Sequence, residues 1–295
     1  MNRTVSLKAC AKINLGLEIL GRRRDGYHEL VTVFQTVNLA DELTVSVQEP
    51  GLEIVAEGFE VPGDQANLCI RAARLYFEAA SREPAASVHL TKNIPVGAGL
   101  GGGSSDAAAT ICALERLLQA EVDLAEVARA VGSDVAFFLH GGTALGSGRG
   151  EQIVRLPRSA TGYVVLVKPD FSISTKAAYA LLGPDSYSDG AKTRELGERL
   201  QQGADLLDCA GLLVNGFEPV IEAEYPQVRR LRQQLLEAGA VAARLCGSGS
   251  CIFGPCADAA SARRCAEDLR EAGYWTHAGK MLNYSPCAAE QVRQH

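Results

Sequence analysis

The residues best able to do chemistry begin at a run of glycines. The segment Ile94-Pro95-Val96-Gly97-Ala98-Gly99-Leu100-Gly101-Gly102-Gly103-Ser104-Ser105-Asp106 carries five glycines in the seven positions from Gly97 to Gly103. Glycine at that density costs backbone entropy, roughly 0.5–1 kcal/mol per residue relative to alanine in a regular element. The compensating use is close approach of the backbone to a ligand, with amide hydrogens turned inward. Ser104, Ser105 and Asp106 are good helix N-cap types. A helix starting at one of them adds the positive end of its dipole. Together these predict an anion nest that holds phosphate. The nest has no lysine of its own, so a cation must come from elsewhere. Lys12 and Lys92, each at a strand–loop junction, are the candidates; each also fits a plain surface lysine.

Two common phosphate motifs fail here. Gly97, Gly99 and Gly102 match G-x-G-x-x-G, but a dinucleotide fold needs a second strand ending in an acid about 20 residues on. That stretch reads as helix, then Glu121-Val122-Asp123 leading into another helix. The Walker pattern needs a lysine where Gly103 stands. A flexible hinge would not require a helix cap directly behind it.

The elements that must position these residues follow from periodicity. Val5, Leu7 and Ala9 alternate with polar residues, and so does Lys12 to Leu20, with Ile13, Leu15, Leu17 and Ile19 on one face. Arg22 to Gly26 reads as a polar turn. Leu30–Leu39, Leu43–Val47, Leu52–Val55 and Val88–Leu90 read as separate strands, and Asn67–Ala80 as a helix. A helix from Ser104–Asp106 to about Gln119 follows, then a short one at Leu124–Val131 closed by Gly132. Composition shifts near Leu156–Gly162. Beyond it, Tyr163–Lys168 reads as a buried strand, Ser172–Leu182 as a loop entering a helix, and Gly183–Gly203 as a flexible excursion. Tyr225–Ala238 and Asp258–Ala272 read as helices. Val241–Leu245, Cys251–Phe253 and the stretch from Tyr274 read as strands, so the second half is an α/β layer structure.

Composition excludes several classes. The 295 residues suffice for one large or two medium domains and a full core. A net charge of −6, with Arg22-Arg23-Arg24 as the one tight basic cluster, argues against a nucleic-acid partner. No apolar run reaches the ~18 residues of a membrane span. The nine cysteines, from Cys10 to Cys287, form no C-x-x-C pair. An odd count with no secretory leader predicts reduced thiols in the cytoplasm, where Cys246, Cys251, Cys256 and Cys265 serve as small core residues.

The glycine run resembles the ATP loop of the GHMP kinase superfamily. Three further blocks carry the resemblance. Ala11-Lys12-Ile13-Asn14-Leu15-Gly16-Leu17, followed by Arg23-Arg24-Asp25-Gly26-Tyr27-His28-Glu29-Leu30, resembles the opening of those members whose substrate carries a cytidine diphosphate. Gly132-Ser133-Asp134-Val135-Ala136-Phe137-Phe138, with Gly141-Gly142-Thr143-Ala144, is similar to the segment that carries the catalytic aspartate. Ala243-Arg244-Leu245-Cys246-Gly247-Ser248-Gly249-Ser250-Cys251 is similar to the C-terminal glycine motif. The blocks span nearly the whole chain in the family's order. Cys10, Ala136 and Gly216 depart from it, where proline, proline and aspartate are usual; none of the three removes a group with assigned chemistry.

The resemblance implies an α+β, two-domain GHMP kinase fold. An N-terminal ribosomal-protein-S5-domain-2-like domain (1–160) would hold the ATP loop, and a C-terminal ferredoxin-like α/β domain (161–295) would close a cleft between them. It implies ATP with Mg²⁺, the ion held mainly by phosphates and its protein ligands unassigned, and a step of non-mevalonate isoprenoid synthesis. Pro95, Val96, Gly97, Ala98, Gly99, Leu100, Gly101, Gly102, Gly103, Ser104 and Ser105 would bind the nucleotide, and Lys12 and Asp134 would be catalytic. Asn14, Tyr27, His28, Thr175 and Tyr179 would bind a small molecule bearing a cytidine diphosphate group, Tyr27 by stacking and His28 at the base edge. A related kinase of another small alcohol, mevalonate- or homoserine-like, is the alternative, and the assembly is a monomer or homodimer. From the residues alone, a helix N-cap behind Gly132-Ser133 is the favoured reading of Asp134, and Tyr179 reads equally as a core aromatic.

Overall fold

The computed structural model describes residues 3–47, 50–63, 66–157 and 160–285; Cys287 lies outside them. In chain order the elements are β1 (Thr4–Arg22), β2 (His28–Val47), β3 (Gly51–Gly58), α1 (Leu68–Ala79), β4 (Ala85–Lys92), α2 (Gly102–Leu118), α3 (Leu124–Val131), α4 (Val135–Phe138), β5 (Thr143–Gly148) and β6 (Gln152–Arg155). There follow β7 (Tyr163–Lys168), α5 (Thr175–Ala180), α6 (Ala191–Gln202), β8 (Val214–Asn215), α7 (Glu218–Glu224), α8 (Pro226–Glu237), β9 (Arg244–Leu245), β10 (Ile252–Cys256), α9 (Ala259–Glu271) and β11 (Trp275–Lys280).

The alternation at the start belongs to one 19-residue strand, β1, hairpinned to the 20-residue β2. The expected break between Leu39 and Leu43 does not occur. Ala40, Asp41 and Glu42 stay paired with Cys10, Ala9 and Lys8. Asp41, inside that expected break, is fully buried against Lys92. β2 serves two neighbours on its far side, residues 42–47 pairing with β4 and 30–35 with β5. With β3, β6 and β8 this makes a seven-stranded sheet. A second sheet runs β11-β7-β10-β9.

Layers stack because the first sheet is apolar on both faces. Ala9, Phe34, Leu43 and Val45 pack with α1, α2 and α3. Ala11, Ile13, Leu15, Val33 and Val37 pack against Val164, Leu166 and Phe253 of the second sheet and against Leu196 and Leu200 of α6. Val165, Val167 and Ile252, on the second sheet's other face, meet Val228, Leu231 and Leu235 of α8 and Ala262 and Leu269 of α9. The arrangement is the α+β architecture expected, with the ferredoxin-like layer at the C-terminal end.

Two local expectations are corrected. Helix α2 starts at Gly102, behind Gly101 in the left-handed conformation (φ +73°), and not at a capping serine or aspartate. Ser105 and Asp106 are buried in its first two turns, Ser105 donating to the Cys10 carbonyl and Asp106 accepting from Lys92. The supposed excursion from Gly183 to Gly203 contains α6. Its buried stripe is Thr193, Leu196, Gly197 and Leu200, spaced as one helical face. Two of the four are small, and Gly197 lies close to Leu145 and Val33, so the stripe carries little hydropathy.

Candidate active site

One cleft of about 400 Å³ collects most of the residues singled out by sequence: Lys12, Asn14, Pro95 through Ser104, Asp134, Thr175 and Tyr179. The glycine loop is held from two sides. The Lys12 amide donates to the Leu100 carbonyl at 2.9 Å, and the Cys251 amide to the Ala98 carbonyl at 3.2 Å. The side chains of Ala98 and Leu100 turn into the core, so at those positions the backbone faces the cleft. Gly247 and Ser248 of the C-terminal glycine segment form the facing wall. Asn215 fixes that segment, its amide donating to the carbonyls of Leu245 and Gly247 at 2.8 Å each.

Lys12 and Asn14 reach the cleft because β1 is irregular there. Its pairing with β2 shifts register between Cys10 and Lys12 and again between Asn14 and Gly16. The Lys12 ammonium donates to Asn14 Oδ1 at 2.8 Å and lies 3.5 Å from Asp134 Oδ2. Asn14 in turn donates to Thr32 Oγ1, whose hydroxyl donates to the Gly16 carbonyl. This chain orients the amide so that its oxygen faces the ammonium. The Lys12–Asp134 attraction is about 4–5 kcal/mol gross at an effective dielectric near 20, less after screening, since the Asp134 side chain is 32% exposed. Asp134 stands at the N-terminus of α4, yet its carboxylate makes no capping hydrogen bond there. The carboxylate is therefore free to accept a hydrogen bond from a hydroxyl in the cleft.

Tyr179 is buried. Burial, and then the Asp134 charge, push its phenol up to about 12, which keeps it a neutral donor at physiological pH. Tyr27 and His28 stand at the end of the β1–β2 hairpin, beside the cleft wall. Tyr27 is exposed, with the Arg149 guanidinium 4.7 Å from its ring centroid. The His28 ring lies 5.2 Å from Tyr179. Burial, and then Arg22, lower the His28 pKa, leaving a neutral imidazole with one donor and one acceptor. Thr175 meets Ser248, hydroxyl to hydroxyl, at 3.3 Å. Ser105 is not brought to the cleft: it is buried under the loop.

Of the two candidate cations, the structure leaves Lys12 facing the loop. Lys92 is sandwiched between Asp41 and Asp106. Burial raises the Asp106 pKa first, Lys92 pulls it back, and the Asp41 charge pushes it further, to about 8. A carboxyl raised on folding holds a proton that the unfolded chain has lost, so it subtracts stability as pH climbs from the ordinary carboxylate value, about 3.9, toward the folded one. The pKa of Lys92 is also raised, but its contribution is fully present below its unfolded value and does not slope in this window. Asp106→Asn is expected to flatten the fall in thermal midpoint between about pH 5 and 8. Superimposable pH profiles for the variant and the wild type would refute that account.

Arg149 was missed by sequence reasoning. It lines the cleft from the tight turn between β5 and β6, and its two glycine neighbours, Gly148 and Gly150, were the available signal. At the other end, Val61, Pro62, Leu68 and Leu90 wall an apolar recess beside Gly102 and Gly103, which nothing in the spacing announced. Among the described residues, no three His, Cys, Asp or Glu side chains gather as a metal site, and no helix is long and apolar enough to cross a membrane.

Comparison with known proteins matches this geometry. The GHMP kinases N terminal domain profile matches residues 67–142 and the GHMP kinases C terminal profile residues 192–274. The chain is 42% identical over 275 residues to the 4-diphosphocytidyl-2-C-methyl-D-erythritol kinase of Moorella thermoacetica, covering 90% of this chain and 95% of that one. It is 41% identical over 270 residues to the kinase of that name from Pelotomaculum thermopropionicum, covering 90% and 94%. A crystal structure of 4-(cytidine 5'-diphospho)-2C-methyl-D-erythritol kinase superposes with a TM-score of 0.81 at 37% identity, covering 94% of this chain and 99% of that chain. Homoserine kinase from Cytophaga hutchinsonii shares the fold, with a TM-score of 0.72 at 20% identity and coverage of 96% and 95%.

Proposed function

The chain belongs to the GHMP kinases and, within them, to the 4-diphosphocytidyl-2-C-methyl-D-erythritol kinases, and from that membership we propose that it transfers the γ-phosphoryl of ATP to the 2-hydroxyl of 4-diphosphocytidyl-2-C-methyl-D-erythritol. The products are ADP and the 2-phosphate, in a step of non-mevalonate isoprenoid precursor synthesis. The observation that carries the reading is the meeting of the glycine loop, Lys12 and Asp134 in one cleft.

Phosphoryl transfer asks the protein mainly for positioning and charge. The Gly97–Ser104 backbone and the start of α2 receive the phosphates. The apolar recess of Val61, Pro62, Leu68 and Leu90 suits the flat base of the same nucleotide. The many glycines leave room for a triphosphate; Mg²⁺, held mainly by the phosphates when bound, would supply charge neutralisation there. Asp134 accepts the proton of the attacking hydroxyl. Lys12, paired with that carboxylate, places positive charge beside the transferred group. Asn14 orients Lys12 and faces the substrate. Tyr27 supplies a stacking face for cytosine, His28 its donor and acceptor, and Thr175 and Tyr179 the wall between base and polyol. A division between residues 160 and 161 puts the loop, Lys12 and Asp134 on one side and the Gly247–Ser250 wall on the other. The soluble reactants suit a cytoplasmic enzyme.

The test is ADP release with the cytidyl substrate, with mevalonate and with homoserine. Turnover is expected only with the first; comparable kcat/KM on either other alcohol would overturn the substrate assignment. Within that assay, Tyr27→Ala is expected to raise the KM for the cytidyl substrate roughly tenfold, a typical base-stacking loss, with the KM for ATP unchanged. A change confined to ATP would remove Tyr27 from the cytosine end.

A further inference from the structure

His28 is asked to hold a base edge, yet its own surroundings do little to fix it. It is the first residue of β2, its backbone is paired with Arg22 across the hairpin, and its side chain is only partly buried. A hydrogen bond to a base edge needs a ring held in plane and distance. Two aromatic contacts supply restraint. Tyr179, from α5, was anticipated. The other, Tyr187, lies 6.1 Å away between ring centroids at 59°. It comes from the stretch that read as a flexible excursion.

That stretch is a strap docked on the hairpin. Tyr187 bridges to Ile19 of β1, and the Ser188 amide donates to the Ile19 carbonyl at 2.9 Å. The Ser188 hydroxyl donates to Glu18 Oε1, and the Thr193 amide, in the first turn of α6, donates to Glu18 Oε2. These anchors are main-chain groups, Ser188 and a buried glutamate. None uses the Tyr187 ring. The strap would stay attached without that ring, and the ring is left to cover the edge of the third apolar cluster and to contact His28.

We propose that Tyr187 is a positioning residue for substrate recognition: docked by its backbone on the end of β1, it holds the His28 imidazole in the orientation that meets the cytosine edge. The proposal rests on the reading that His28 binds cytosine. Contacts between aromatic rings of this kind translate to roughly a three- to tenfold change in binding.

The experiment is steady-state kinetics and thermal midpoints for Tyr187→Ala, Tyr187→Phe, His28→Ala and the Tyr187→Ala/His28→Ala double variant. Tyr187→Ala should raise the KM for the cytidyl substrate about three- to tenfold, leaving kcat and the KM for ATP in place. Tyr187→Phe, which keeps the ring, should restore the wild-type KM. The double variant should be no worse than His28→Ala alone, because Tyr187 acts through His28. Should Tyr187→Ala melt below the assay temperature, Tyr187→Leu keeps the apolar cover, removes the ring and should show the same rise in KM. Additive losses in the double variant, or equal losses for both substrates, overturn the proposal while the cytosine reading stands. A His28→Ala enzyme with an unchanged KM for the cytidyl substrate overturns the reading and the proposal with it.

Discussion

Asp134→Asn is expected to lower kcat by roughly 10²–10⁴-fold, the usual share of a general base, with the KM for ATP changed by less than about threefold. The argument is geometric. The Asp134 carboxylate sits where a helix cap would be, but it makes no capping hydrogen bond and faces Lys12 at 3.5 Å instead. Its side chain is a third exposed, so a substrate hydroxyl can reach it, while the Lys12 side chain is 5% exposed and held by Asn14. Asparagine keeps the volume and removes the proton acceptor. Lys12 would remain anchored by Asn14, so the loop and its nucleotide should be little disturbed. Kinetics with both substrates, alongside a thermal melt, separate the outcomes. A kcat within about tenfold of wild type would mean that positioning and charge alone drive the transfer, and the base assignment would fall.

How far the cleft was legible in the sequence depends on what held each residue. The glycine run announced itself because backbone approach to a ligand leaves a compositional trace. Lys12 was expected at a strand–loop junction and Asn14 came from the family resemblance; both lie inside the unbroken β1, and alternation alone could not show that register shifts bring both side chains to one site. Asp134 was ambiguous, since a carboxylate behind Gly132-Ser133 is what a cap looks like; only its actual hydrogen bonding separates the two readings. Lys92 and Lys12 looked alike as candidate cations. Their difference is tertiary: Asp41 and Asp106 arrive at Lys92 from β2 and α2.

The failures share a physical cause. The break expected between Leu39 and Leu43 falls on Asp41, whose buried partner lies 51 positions away. Ser105 and Asp106 suggested a helix cap, because their side chains usually satisfy backbone amides; here one bonds a β1 carbonyl and the other an ammonium. The strap and α6 looked mobile because their packing uses Thr193 and Gly197, whose close fit adds little to a hydropathy pattern. In each case a small or polar residue is spent on a long-range contact.

Gly99→Ala should be the most damaging single-methyl change in the loop. Gly99 has φ +75°, and a Cβ built there would lie 1.8 Å from the Cys246 carbonyl oxygen and 3.1 Å from the Gly249 nitrogen. Both are backbone atoms, so no side-chain rotation relieves the overlap and the two glycine segments must part. The left-handed conformation costs about 1–2 kcal/mol for a residue with a Cβ, and overpacking of this kind costs about 1–3 kcal/mol more. The movement reaches the chemistry because the loop is bonded to β1 at Lys12 and to the C-terminal wall at Cys251. Misplacement by about 1 Å is enough to lose about 10²-fold, so kcat/KM for ATP should fall by that order and the thermal midpoint by about 5 °C or more. Gly103→Ala is the matched contrast. Its Cβ would meet only Leu68 Cδ1, at an ordinary 3.5 Å, in the first turn of α2. The fold should therefore melt no lower, and any loss of ATP affinity reports a nucleotide passing close to that backbone. Wild-type melting and ATP kinetics in Gly99→Ala would show that the two segments are not locked together, and would remove the C-terminal wall from the nucleotide site.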